Sequence, residues 1–93
     1  MELEYPINLI GIENGAQSGD VLCRYGEVLG RWELETTGEH DGIAMGELHF
    51  TPHGGTERLF SEGIPSMESG LLFGKAMSFL CASIREWHEQ SDT

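Results

Sequence analysis

At Pro65 the hydrophobic period of this chain changes, and that change limits the folds open to it. Before it, apolar and polar residues alternate in short stretches punctuated by glycine, the pattern of strands and tight turns. After it, Phe73, Met77, Leu80, Ile84 and Trp87 recur at spacings of four, three, four and three, one continuous stripe on a helix. Ser66 stands where an N-cap would, and Glu68 falls in the first turn, where an acid meets the positive end of the helix dipole. The expected helix runs from about residue 66 to 88, roughly 33 Å at 1.5 Å per residue.

The first two-thirds reads as four or five strands. Residues 3–12 form the first, with Pro6 marking an edge or an irregular start. Residues 13–20, ENGAQSGD, read as a loop. Residues 21–25 form the second strand, with Val21, Cys23 and Tyr25 on one side. Residues 28–36 alternate most clearly: Val28, Trp32 and Leu34 face one way, Arg31, Glu33 and Glu35 the other. TTGEHDG, residues 36–42, is expected to be a loop. In residues 44–51, Ala44, Leu48 and Phe50 share one face, and Met45, Glu47 and His49 share the opposite one. TPHGG then turns the chain, and residues 56–64 return as the last strand.

The expected fold class is therefore α+β: one domain over residues 1–93, an antiparallel meander over about 3–64, and one long C-terminal helix packed on one sheet face. Gly70 and Gly74, four apart, are expected to let the start of the helix approach the sheet. A single helix covers only one face, so the other is solvated or used. Arg31, Glu33, Glu35, Glu47 and His49 are the candidates for that open face. Phe79 and Leu72 widen the apolar stripe, which could serve a larger core contact or a second copy of the chain in a homodimer.

Charge narrows the function classes. Five Lys and Arg face sixteen Asp and Glu, a net charge of -11. Direct binding to nucleic acid or to an anionic membrane is disfavoured, because the phosphate interaction is repulsive. A basic protein partner is favoured. Carboxylates two apart on a strand, such as Glu33 and Glu35, stand about 6.6–6.8 Å apart, near the phosphate spacing of a nucleic-acid strand. With 39% hydrophobic residues the chain is too apolar to be disordered. The first residues, MELEYPINLI, carry acids and no basic stretch, which predicts no signal peptide. No apolar run is long enough for a membrane span. The expected location is the cytoplasm, with Cys23 and Cys81 reduced; export would leave a Cys23–Cys81 disulfide open.

Chemistry-bearing motifs are sparse. His49 and His53 are four apart, but Pro52 and the pair Gly54–Gly55 argue against a shared helix face. Thr51-Pro52-His53-Gly54 fits a type I turn instead, with His53 at the tip. His40 and Asp41 are adjacent in a loop and are not expected to face each other. Cys81, in mid-helix, reads as a small buried hydrophobe. Glycine-rich phosphate loops and basic-aromatic patches are absent, and Arg24 and Arg31 are flanked by acids. No catalytic residue and no cofactor is expected. The leading expectation is a non-enzymatic inhibitor or regulator acting on a basic protein. Anti-CRISPR and anti-restriction factors and antitoxins have this size and charge. The alternative is a metal- or small-ligand-binding domain using His40, His49 and His53 with Glu47 or Asp41.

Overall fold

The alternation in residues 28–51 becomes the longest ladder of the structure. A computed structural model describes residues 7–23 and 25–91. Strands β1 (Asn8–Leu9), β2 (Ser18–Leu22), β3 (Val28–His40), β4 (Ile43–Pro52) and β5 (Phe60–Ile64) lie side by side in chain order. Every neighbouring pair is antiparallel. Helix α1 (Gly70–Ser91) then returns across the sheet and packs chiefly on β5 and β4. The expected α+β meander with one C-terminal helix is the fold. Residues 3–6 of the expected first strand, Pro6 among them, lie outside the described residues, as does Arg24.

Between the two layers sits the core. Val21, Trp32, Leu48, Phe50 and Ile64 come from the sheet, and Ala76, Leu80 and Ile84 from α1. Each of the larger of these side chains contributes about 1.5–3 kcal/mol on burial. Phe73, Met77 and Trp87 flank this core, so the whole expected stripe is used. The Trp87 ring meets Phe50 edge-on at 5.5 Å, and Phe60 stacks with Phe50 at 6.2 Å. Trp32 is fully buried, and its indole N–H donates to the Ile10 carbonyl at 2.9 Å. Gly30 makes room for Phe50: a Cβ there would stand 2.7 Å from the Phe50 ring and would collide with the Thr51 carbonyl. Phe79, expected to widen the stripe, is 57% exposed and lies outside the core contact.

Several expected boundaries move, each for a local reason. Residues 13–20 are not all loop: a short 3₁₀ turn spans Ile12–Asn14, and β2 begins at Ser18. Val21 pairs with Gly30 but Leu22 pairs with Val28, so Leu29 is the extra residue of a bulge. The bulge turns Leu29 into the core and leaves Val28 exposed, against its expected inward direction. Tyr25 is exposed because β2 has already ended at Leu22.

Residues 36–42 are not a loop either. β3 and β4 run on to a two-residue connection, Asp41-Gly42, with φ of 54° and 81°. Positive φ at both positions is the type I′ geometry that matches the twist of a hairpin. The ladder with β2 ends at Glu33, and that with β5 at Gly46. Beyond those points β3 and β4 project as a two-stranded arm, with a second bulge between Thr36 and Gly38. At the other end of the meander, β5 is shorter than expected and begins at Phe60.

The helix begins later than its sequence suggested. Ser69 is the cap: its hydroxyl accepts from the Leu72 N–H at 3.2 Å, and its carbonyl from the Phe73 N–H at 3.0 Å. Ser66 instead opens the preceding turn, and Glu68 lies outside the helix. The cause is tertiary. The Met67 N–H donates to the Ala44 carbonyl at 2.8 Å, and its thioether sits over Gly46, which ties this segment to β4. Gly70 and Gly74 do not bring the helix to the sheet: a Cβ at either would meet nothing within 4 Å. Both are exposed. No helix among the described residues is long and apolar enough to cross a membrane.

These placements give opposite signs for two glycine substitutions. Gly74→Ala is expected to stabilise the protein by about 0.5–1 kcal/mol, because an exposed helical glycine has only its backbone entropy to lose. Gly30→Ala is expected to cost about 1–3 kcal/mol through overpacking. Urea unfolding of the two variants measures both; a destabilised Gly74→Ala would return that glycine to the helix–sheet contact.

Candidate functional site

The register of β3, β4 and β5 decides which outer-face residues meet. Glu33 lies opposite His49, Glu35 opposite Glu47, and His49 in turn opposite Ser61. Their sequence neighbours Leu34, Leu48 and Phe50 belong to or border the core, so strand alternation sends this set to the face that α1 leaves open. Arg31, opposite Thr51, shares that face and donates to the Ser18 hydroxyl at 3.0 Å. The five residues expected on the open face are thus on it.

His49 differs from expectation in depth. It is only 2% exposed, although it points away from the helix. Its Nε2 lies 3.0 Å from Glu35 Oε1 and 3.5 Å from Glu47 Oε1. Its Nδ1 shares a 2.6 Å hydrogen bond with the Ser61 hydroxyl. Carboxylates only accept, so Nε2 is the donor in its pair. Arg58 adds a cation from the segment before β5: Nη1 is 3.5 Å from Glu35 Oε1 and Nη2 is 3.7 Å from Glu33 Oε1. Both imidazole nitrogens are therefore engaged, which makes burial of the ring tolerable. His49 is a support beneath the carboxylates rather than a surface contact.

The three-histidine set does not assemble. His40 pairs with Ile43 beside the hairpin turn, and His53 follows the last residue of β4. Pro52 itself pairs with Gly30, so the turn shifts by one residue to Pro52–Gly55. The Gly55 N–H donates to the Pro52 carbonyl at 2.9 Å, and Gly54 has φ of 82°. Positive φ at the third position makes this a type II turn, not type I. His40 and Asp41 do approach each other, at 3.4 Å, but in open solvent, where such a pair contributes little. Among the described residues, the three donors that converge are Glu35, Glu47 and His49, with ligand atoms within 4.8 Å of one another.

Ser61 and Arg58 have no role in the sequence reading. No local motif marks them: Ser61 joins His49 only through the β4–β5 register. Both thiols are free. Cys23 is buried, and burial pushes the Cys81 thiol up from its ordinary range, with Arg85 offsetting part of the effect. A raised thiol pKa leaves less thiolate at neutral pH, the opposite of what a nucleophile needs. Comparison with protein-family models, curated proteins and solved structures returns no match.

Ser61→Ala is expected to cost about 1–3 kcal/mol, because it leaves the buried Nδ1 without its partner. Urea unfolding measures this; an unchanged midpoint would mean that water or a shifted ring replaces the hydroxyl. For Cys81, the rate of modification in folded protein is expected to rise with pH, with a midpoint above that of a free thiol. Rapid labelling of Cys81 at neutral pH would contradict the burial assigned to it.

Proposed function

We propose that this chain is a small acidic binding domain, not an enzyme, that captures a basic protein on the helix-free face of its sheet. In the cytoplasm it acts as an inhibitor or regulator of the anti-defence or antitoxin kind. One observation carries this reading. Glu33, Glu35 and Glu47 lie together on that face with side chains 50%, 47% and 44% exposed. Asp20, opposite Arg31, continues the acidic row onto β2. Two of the three carboxylates rest on the buried His49. A carboxylate held in place loses less side-chain freedom when a partner arrives, so the face is partly pre-organised.

The chain's net charge of -11 adds long-range attraction for a cationic surface. That attraction raises the association rate and is screened over about 8 Å at physiological salt, so capture is salt-sensitive. Arg58 lies against Glu33 and Glu35 and marks the chemistry a partner would offer: a guanidinium facing carboxylates.

The test compares two charge reversals of equal size. Partners are captured on the wild-type chain, identified by mass spectrometry, and then measured individually. Glu33→Lys, on the open face opposite His49 but outside its hydrogen bonds, is expected to weaken binding by roughly tenfold, about 1.4 kcal/mol, and to flatten its salt dependence. Glu68→Lys, on the segment leading into α1, changes the net charge equally and is expected to leave most of the affinity. Equal losses in both variants would make net charge, not this face, the determinant.

A further inference from the structure

We infer that Glu35, Glu47 and His49 form a binding site for one first-row divalent metal ion of the zinc class. The donor set is the first argument. One imidazole nitrogen and two carboxylate oxygens suit zinc and its neighbours, whereas calcium and magnesium favour oxygen alone. The geometry is the second. Zinc binds imidazole nitrogen at about 2.0–2.1 Å and carboxylate oxygen at about 2.0–2.2 Å. A tetrahedron with bonds of about 2.1 Å has edges of about 3.4 Å, and an octahedron about 3.0 Å. The Nε2-to-oxygen separations are 3.0 Å to Glu35 and 3.5 Å to Glu47. Each oxygen already stands from Nε2 as a neighbouring ligand of one ion would, and all three donor atoms lie within 4.8 Å of one another.

The imidazole is also held as a ligand needs to be. The ring is buried, on a strand in the middle of the sheet, and its far nitrogen is fixed by Ser61 at 2.6 Å. When the metal takes the Nε2 lone pair, the N–H that Nε2 offered the carboxylates is given up. The ring changes tautomer, its single proton moving through solvent from Nε2 to Nδ1, and Nδ1–H then donates to Ser61, the bond that orients a metal-ligating histidine. The partly exposed carboxylates form the outer wall, so the ion keeps positions open to solvent. Two carboxylates against one dication also remove the like-charge repulsion between Glu35 and Glu47.

Arg58 is the competitor. Its Nη1 lies 3.5 Å from the same Glu35 Oε1 that would ligate the metal. Removing this cation strengthens metal binding, an effect that a purely structural histidine would not produce. The inference does not depend on the protein-binding reading, and its test uses the isolated chain.

The experiment is titration of tag-free wild-type protein with zinc against a chromophoric chelator, with circular dichroism to confirm that each variant is folded. One ion per chain is expected. His49→Gln and Glu47→Gln are each expected to weaken binding by more than tenfold, and Ser61→Ala by about 10–100-fold. Glu47 is half-exposed, so Glu47→Gln keeps the test valid if His49→Gln fails to fold. Arg58→Gln is expected to tighten binding, whereas His53→Gln leaves one ion bound. Zinc binding that is absent, that survives both His49→Gln and Glu47→Gln, or that is lost in His53→Gln overturns the site.

Discussion

Packing one helix over Trp32, Leu48 and Phe50 is the commitment on which the rest depends. On a strand, burying one residue sends its neighbours to the opposite face. Once Trp32 and Phe50 face α1, Glu33 and His49 must face away; once Leu34 and Leu48 do, Glu35 and Glu47 must follow. The acidic face and the core therefore share one register. A one-residue slip of β3 against β4 would put carboxylates under the helix and the tryptophan in water. The bulge at Leu29 acts at the margin of this arrangement, exchanging Val28 for Leu29 in the core while leaving Gly30 to Pro52 in step.

The sequence is legible where periodicity is long and one-sided. The alternation through Trp32 and Leu34, and through Leu48 and Phe50, shows both core strands and their outer faces. The stripe from Phe73 to Trp87 shows the helix. Residues 36–42 read as a loop because the polar run around Asp41-Gly42 hides the strands, which continue without an apolar face to mark them. Other features depend on distant contacts. The helix start moved from Ser66 to Ser69 because Met67 is tied to Ala44, 23 residues earlier in the chain. The cluster around His49 needed a register across three strands: Glu35 and Ser61 are 14 and 12 residues from it.

His49 sets the acidic face against the back of the core. Its own strand neighbours, Leu48 and Phe50, are fully buried on the helix side, so the ring stands on the back of the best-packed part of the sheet. The polar cluster around it inherits that rigidity. Ser61 reaches the ring from β5, Glu35 from β3, and Arg58 from the connection between β4 and β5. These contacts tie the middle of the sheet together on the side where no helix does so. In a sheet with one covered face, hydrogen bonds among outer side chains supply order that packing supplies on the other.

The β3–β4 arm has a dynamic consequence. Residues beyond Glu33 on β3 and before Gly46 on β4 lack the flanking ladders that hold the central sheet on both sides. A two-stranded ribbon is marginal in water by itself. Opening of the arm thus requires far less free energy than unfolding of the core, and its amide hydrogens exchange with solvent through that smaller event. The histidine cluster holds both strands at the level of Glu35 and Glu47, and the Met67 bond to the Ala44 carbonyl reaches a little further along β4, so opening is confined to the stretch nearer the turn. The molecule therefore has a loose end and a fixed middle along the same two strands.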